Sequence, residues 1–152
     1  METSTATLTI SCPSFNHEGD IPARFTCDGN NINPALTITE LPEDTQALAI
    51  IMEDPDAPGG VFDHWLEWNI PVTNLIRENT NPGISGLNSS GKTGYHGPCP
   101  PSGSHRYYFH VFALDAALDL PGHSNREALE QAMQSHVIAA GTIMGRYSRQ
   151  DK

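Results

Sequence analysis

The sequence predicts a single, mainly β domain over residues 1–152, and three observations support that prediction. A chain of 152 residues that is 38% hydrophobic has the usual size of one domain and can bury a core. Its 13 glycines and 12 prolines are scattered without a period, which indicates many turns. Most apolar stretches are short or alternate with polar residues, as strands do, and few are long and periodic enough for helices.

Six segments have the pattern of β-strands. They are residues 7–11, 35–41, 47–54, 64–71, 105–115 and 142–148. The first two alternate polar and apolar residues, so each should have one buried face, marked in the second by Leu36 and Ile38. Residues 47–54 are almost continuously apolar, which predicts a central strand buried on both faces.

One helix is predicted, over residues 125–138. Ser124, with Glu127 three residues later, has the pattern of a capping box at its start. Apolar residues then recur at helical spacing, at Leu129, Met133, Val137 and Ala140. Residues 73–104 are instead rich in Asn, Gly, Ser and Pro, which predicts a long loop, and a connection of that length is usually functional.

The charge of the chain narrows the classes of partner. The formal net charge is −10, so the surface repels phosphate backbones and anionic membranes. We therefore expect no nucleic-acid binding, and no membrane insertion because no run approaches about 18 apolar residues. Any anion that binds must be held by a local pocket against the overall field.

The N-terminus and the cysteines indicate a location. Residues 1–10 have no basic residue and no long apolar run, so they lack the pattern of a secretory signal. A cytoplasmic chain is predicted, and the alternative is a mature periplasmic form whose signal was removed. Cys12, Cys27 and Cys99 are odd in number and lack C-x-x-C spacing. A Cys12–Cys27 disulfide is conceivable, but free thiols are predicted because cytosolic chains are kept reduced.

Two candidate functional residues lie where one predicted strand ends and the next begins. The strand at 47–54 ends on Asp54, and Asp56 lies in the DPDAP turn that follows. His64 opens the next strand. If the two strands form a hairpin, Asp54 and His64 lie at the same edge of the sheet. The alternative is that the aspartates only make an exposed turn hydrophilic and that His64 has a purely structural role.

A stiff loop leads into the strand at 105–115. Its prolines preposition its backbone groups before any ligand arrives, and they are Pro98, Pro100 and Pro101. Alternation puts His105 and Tyr107 on one face of the strand, so a pocket at its start would receive both side chains. The alternative is an aromatic strand that only packs a core.

Two histidines, one or two aspartates and a tyrosine at one sheet end fit three chemistries. They could bind a metal, do acid–base or nucleophile-activating work, or hold a phosphate. In the third case Asp54 would raise the pKa of His64, and the imidazolium would donate to phosphate oxygens. Spacing does not choose among these, since neither G-x-S-x-G nor H-E-x-x-H is present and Cys99 is the one candidate nucleophile.

Three motifs, D-P-D-A-P, H-W and G-P-x-P-P-x-G-x-H-R-Y, occur in this order and carry a resemblance. The matching segments are FTCDGNNINPAL at 25–36, MEDPDAPGGVFDHWLEWNI at 52–70, GYHGPCPPSGSHRYYFHVFALD at 94–115 and GRYSR at 145–149. Together they resemble the phosphatidylethanolamine-binding proteins, also called Raf kinase inhibitor proteins, and most of all their short bacterial YbhB/YbcL-type branch. The resemblance implies an antiparallel β-sandwich, with a large sheet on a smaller one and a C-terminal helical segment.

The resemblance also implies an anion pocket at the sheet end. Asp54, His64 and His105 match pocket residues, and Tyr107 matches a tyrosine that bonds a phosphate oxygen. Asp56 would support the turn. The full ligand-binding set implied in this way is Asp54, Asp56, His64, Gly97, Pro98, Pro101, His105 and Tyr107.

We therefore expect a non-catalytic protein without a cofactor that binds a small phosphorylated or carboxylated ligand. A role as a modulator of a kinase or protease, and a homodimer, are further expectations from the family. Raf binding and lipid binding are not carried over, because the sequence is shorter than the animal members and shows no large apolar groove. The alternative function is a hydrolase that uses the Asp–His pocket.

Overall fold

The computed structural model describes residues 6–149 as two β-sheets and one α-helix. The strands are β1 (Ala6–Thr7), β2 (Thr9–Ser11), β3 (Leu36–Thr39), β4 (Ala47–Asp54), β5 (Phe62–Ile70), β6 (Leu75–Ile76), β7 (Ile84–Ser85), β8 (Ser104–Leu114) and β9 (Val137–Ser148). Helix α1 spans Arg126–Met133, and a short 3₁₀-helix spans Ala23–Phe25. Within the described residues, no helix has the length and apolar character needed to cross a membrane.

The strands form a large and a small sheet, which confirms the predicted sandwich. The large sheet has the order β1-β9-β8-β4-β5-β7, and the small sheet has the order β2-β3-β6. All pairs are antiparallel except β1 with β9. The predicted hairpin of the third and fourth segments is confirmed by the pairing of β4 with β5.

Three predicted strands differ from the structure by one or two residues at each end, and two differ by more. The segment predicted at 7–11 is split at Leu8, because β1 pairs with β9 in the large sheet while β2 pairs with β3 in the small one. The last strand begins at Val137 and not at residue 142. Gly141 hides this continuity in the sequence, but a Cβ there would lie 2.3 Å from the Leu8 carbonyl oxygen, so the crossing chain requires a glycine.

The large sheet separates two hydrophobic layers. One face packs against the small sheet, and the other packs against α1 through Leu129 and Met133. Trp65 and Trp68 of β5 are fully buried in opposite layers, as their odd spacing along a strand requires. The strand ends that carry the candidate site are thereby held by both layers.

Helix α1 is shorter than predicted and has a different N-cap. It ends at Met133 because residues from Val137 onward pair with β8, so tertiary pairing overrides the helical periodicity. The Asn125 side chain accepts a hydrogen bond from Ala128 N at 3.0 Å. The Ser124 hydroxyl instead donates to the Pro121 carbonyl at 2.6 Å, so the predicted capping box is wrong.

We expect Asn125→Ala to lower the free energy of unfolding by about 1 kcal/mol, because it removes the acceptor for a free helical N–H. Urea denaturation measures this loss. Ser124→Ala is the matched control and should change stability less. The reverse ranking would restore Ser124 as the cap.

Candidate functional site

The candidate site lies at the ends of three neighbouring inner strands of the large sheet. β4 ends there at Asp54, while β5 and β8 begin there. A β-bulge in β5 shapes this end of the sheet: Met52 pairs with Trp65 and Glu53 pairs with Asp63, so His64 has no partner residue. Bulges re-aim side chains, and here the bulge brings the His64 ring to within 5.3 Å of the Tyr107 ring, between centroids.

Asp54 is the polar centre of the site and is 3% exposed. Its Oδ2 lies 2.6 Å from His105 Nδ1, and its Oδ1 accepts a hydrogen bond from Asp56 N at 2.7 Å. The second bond closes an Asx turn, which is why an aspartate begins the DPDAP segment. The Tyr107 hydroxyl donates to the Asp54 carboxylate. Burial and this contact with the carboxylate raise the pKa of Tyr107.

His64 is buried and electrically neutral at pH 7. Its Nδ1 lies 2.5 Å from the His96 carbonyl oxygen, to which it donates, so the lone pair of the neutral ring is on Nε2. Burial lowers the pKa of His64 to about 4, outweighing the charge of Asp54. The charge of Asp54 does raise this pKa, as predicted, but desolvation dominates at His64, so the predicted imidazolium is wrong.

Asp56 lies behind the site and binds Arg106. Its Oδ2 accepts hydrogen bonds from the backbone N and Nε of Arg106, both at 2.9 Å, and its Oδ1 accepts from a terminal nitrogen at 2.7 Å. The Arg106 guanidinium lowers the pKa of Asp56 to about 2. This bidentate pair fixes the turn after β4 to the start of β8.

The loop that leads into β8 is held at its beginning by backbone contacts. Gly97 N donates to Asn31 Oδ1 at 2.9 Å, and the Pro98 carbonyl accepts from Cys27 N at 3.1 Å. A Cβ on Gly97 would lie 2.3 Å from Asn31 Oδ1 and 2.5 Å from the Phe25 carbonyl oxygen. Gly97 and Pro98 thus set the position of the loop.

The cysteines differ from the prediction. Cys27 and Cys99 form a disulfide, with Cα atoms 5.5 Å apart, and Cys12 is a buried free thiol. The predicted free thiols at 27 and 99 and the conceivable Cys12–Cys27 pair are both wrong. The two half-cystines are 72 residues apart in sequence, so only the contact between their loops identifies them as partners.

These elements enclose a cavity of about 210 Å³. Five of the predicted ligand-binding residues line it, namely Asp54, His64, Pro101, His105 and Tyr107. Asp56, Gly97 and Pro98 do not line it and act as supports. Further lining residues are Ala57, Pro58, Phe62, His96, Cys99 and Pro100.

Phe62, which the sequence prediction did not assign, completes an aromatic wall with His96, whose place beside the GPCPP loop already indicated that it lines the mouth of the pocket. The Phe62 ring centroid lies 4.7 Å from that of His64 and 5.5 Å from that of His96. The signal that could have found Phe62 is its position two residues before His64. Burial lowers the pKa of His96, so this wall is largely uncharged at pH 7.

The polar atoms that face the cavity are few. Within residues 6–149, no buried side-chain nitrogen or oxygen lacks a hydrogen-bond partner. The Nε2 atoms of His64 and His105 have no hydrogen-bond partner among these residues, so each must be accessible at the cavity that both residues line. No group of three or more His, Cys, Asp or Glu side chains in the described part of the chain is arranged to hold a metal ion.

Comparison with solved structures supports the assignment of the fold. A phosphatidylethanolamine-binding protein homologue from Chlamydia trachomatis, CT736, superposes with a TM-score of 0.91 at 33% identity, covering 96% of this chain and all of that one. Escherichia coli YbcL, described as a member of the mammalian family, gives a TM-score of 0.86 at 26% identity, covering 95% of this chain and all of YbcL.

Sequence comparison gives the family. A UPF0098 protein of Methanothermobacter thermautotrophicus is 44% identical over 93% of this chain and 99% of its own length. A UPF0098 protein of Archaeoglobus fulgidus is 47% identical over 90% of this chain, which spans about half the length of that relative (50%). The family model named phosphatidylethanolamine-binding protein matches residues 11–148. The chain therefore belongs to the phosphatidylethanolamine-binding protein family.

Proposed function

We propose that this protein binds a small phosphorylated or carboxylated anion in the cavity at the end of the large sheet, without catalysing a reaction. The observation that carries the proposal is the pair of histidines. Each has its Nδ1 held by a protein oxygen, at Asp54 for His105 and at the His96 carbonyl for His64. Each therefore offers Nε2 to the same cavity.

His105 supplies the charge-assisted contact. When both of its ring nitrogens carry a proton, Asp54 compensates the charge through Nδ1, and Nε2–H donates to an oxygen of the anion. A local ion pair of this kind can hold an anion although the chain has a net charge of −10, because the other acids of the surface are screened by solvent.

His64 makes the proposed site sensitive to the protonation state of the ligand. Neutral His64 accepts at Nε2, so it pairs with an O–H of a singly protonated phosphate group. A fully ionised group binds there only if His64 takes up a proton, against the burial that lowers its pKa to about 4. This feature favours a phosphate monoester over a carboxylate, which has no proton to donate at pH 7.

The size and walls of the cavity favour a small ligand. A volume of about 210 Å³ lies below the roughly 300–1,000 Å³ of pockets for drug-sized molecules. Apolar and aromatic side chains form most of the wall, among them Phe62, Pro100 and Pro101. They would contact the organic part of a phosphate ester while the histidines hold its phosphate. The hydrolytic alternative has little support at its candidate nucleophile, because Cys99 is bonded to Cys27.

Calorimetric titration with phosphoethanolamine tests the proposal. We expect His105→Asn and His64→Asn each to weaken binding about ten- to hundredfold, the cost of one hydrogen bond to a charged group. Asparagine keeps a donor near the position of Nδ1 but lacks Nε2, so the protein contact is preserved while the ligand contact is lost.

His123→Asn is the matched control. His123 is exposed and has a φ of 69°, a conformation that asparagine tolerates. The affinity of the His123→Asn variant for phosphoethanolamine should equal that of the parent. Parent-like affinity in both pocket variants would place the binding site elsewhere, and release of inorganic phosphate by the parent but not by His105→Asn would favour the hydrolase.

A further inference from the structure

The Cys27–Cys99 disulfide lies in the wall of the candidate pocket and is open to solvent. Both half-cystines are exposed, and Cys99 lines the cavity beside Pro100 and Pro101. Structural disulfides are commonly buried in a core, where thiols cannot reach them. An exposed one is accessible to a small thiol, and access is a main determinant of exchange.

The wall that follows the disulfide has few other attachments. Backbone hydrogen bonds hold Gly97 and Pro98, and strand pairing begins again at Ser104. Among the described residues, no hydrogen bond or ion pair joins residues 99–103 to the rest of the protein. Apart from the packing of the buried Pro100, the Cys27–Cys99 disulfide is therefore the main attachment of the segment that contributes Pro100 and Pro101 to the cavity.

We propose that the Cys27–Cys99 disulfide is a site of thiol–disulfide exchange with low-molecular-weight thiols, and that its cleavage loosens the pocket wall and weakens anion binding. The second part rests on the proposed function, whereas the first part does not. The ligand chemistry at the disulfide is that of a small thiolate such as glutathione.

The exchange proceeds in two balanced steps. A thiolate attacks the sulfur of Cys99, the half-cystine that lines the cavity; a new S–S bond forms to Cys99, the Cys27–Cys99 bond breaks, and Cys27 leaves as a thiolate. A second thiolate attacks the small-molecule sulfur of this adduct, releasing the oxidised small thiol and the Cys99 thiolate. Two thiols are oxidised, the disulfide is reduced by two electrons, and both protein thiolates take up protons from water.

Cleavage of the disulfide lowers the affinity for the anion because fewer molecules then have the pocket wall in its binding conformation. The apparent Kd rises in inverse proportion to the fraction of molecules that have the binding conformation. The prolines still restrict the segment, so the wall is loosened and not unfolded. We expect the Kd for phosphoethanolamine to rise about tenfold, which corresponds to a closed fraction of about one tenth.

The exchange is tested by mass spectrometry on the oxidised protein incubated with millimolar glutathione and then trapped with N-ethylmaleimide. We expect an early species with one glutathione on Cys99 and maleimide on Cys27, then a later species with maleimide on both, while Cys12, which is buried, stays unmodified throughout. A disulfide that stays intact in millimolar glutathione would overturn the exchange, and an adduct found on Cys27 alone would overturn the assignment of the attacked sulfur.

The effect on the pocket is tested by titrating phosphoethanolamine into the oxidised parent, the reduced parent and the Cys27→Ser/Cys99→Ser variant. Circular dichroism verifies the fold, and Cys12→Ser is the control that should bind like the parent. Equal affinity of folded oxidised and reduced protein would overturn the coupling. If the oxidised parent itself binds no anion, the proposed function fails and the coupling fails with it, while the mass-spectrometric result still decides the exchange.

Discussion

Asp54→Ala is expected to lower the free energy of unfolding by about 3 kcal/mol and to abolish phosphoethanolamine binding. One buried carboxylate accepts from His105 Nδ1 at 2.6 Å and from Asp56 N at 2.7 Å. Its removal leaves a 7%-exposed histidine without its partner and opens the Asx turn. Leaving a buried donor or acceptor without its hydrogen-bond partner costs about 1–3 kcal/mol, and two such bonds are lost together here. Urea denaturation at pH 7 and calorimetric titration measure the two effects.

Asp119→Ala is the matched control, because Asp119 is exposed and its side chain has no hydrogen bond to any residue in the described range 6–149. Its stability should change by less than about 0.5 kcal/mol. Asp54→Asn keeps the acceptor for Asp56 N but not the charge, so it should be more stable than Asp54→Ala and still bind the anion poorly. An Asp54→Ala protein with the stability and affinity of the parent would remove Asp54 from the centre of the site.

The second large effect is a loss of stability in mild acid that depends on His64. Burial lowers the pKa of His64 from 6.5 to about 4, so between these pH values the unfolded chain binds the proton and the folded chain does not. The contribution of neutral His64 is therefore fully present above pH 6.5 and is lost as the pH falls toward 4. At about 1.4 kcal/mol per pKa unit, the loss is about 3 kcal/mol.

Unfolding by urea between pH 7 and pH 4, in a buffer without phosphate, tests this effect. His64→Asn removes the titration, so its stability should fall less steeply than that of the parent. The variant also controls for His96, whose lowered pKa acts in the same direction. The lowered pKa of Asp56 acts at lower pH, between 3.8 and about 2. Parallel curves for the parent and His64→Asn would contradict the assignment.

Much of the central sheet follows directly from the sequence. The continuous apolar run at 47–54 coincides with β4, because a strand between two hydrophobic layers needs apolar residues on both faces. Alternation in β8 correctly separates the buried His105 and Tyr107 from the partly exposed Arg106 and Tyr108. Antiparallel pairing of β4 with both β5 and β8 then brings the end of β4 beside the starts of its two neighbours, so their polar residues meet there.

The details of the site depend on interactions that no local pattern encodes. The bulge at His64 arises from two-against-one pairing between β4 and β5, and simple alternation would place His64 on the face of Leu66 and Trp68. Because of that bulge, Asp54 hydrogen-bonds His105 and not His64. Likewise, the Cys27–Cys99 pair depends on contact between two loops far apart in sequence.

The central claim, an anion pocket built on His64 and His105, is tested most directly by an amide NMR titration with phosphoethanolamine, with zinc as a parallel ligand. The account predicts saturable shifts with phosphoethanolamine at Asp54, His64, His96 and His105, and no saturable shifts there with zinc. Saturable shifts at the same residues with zinc only, or no saturable shift at them with phosphoethanolamine, would contradict it.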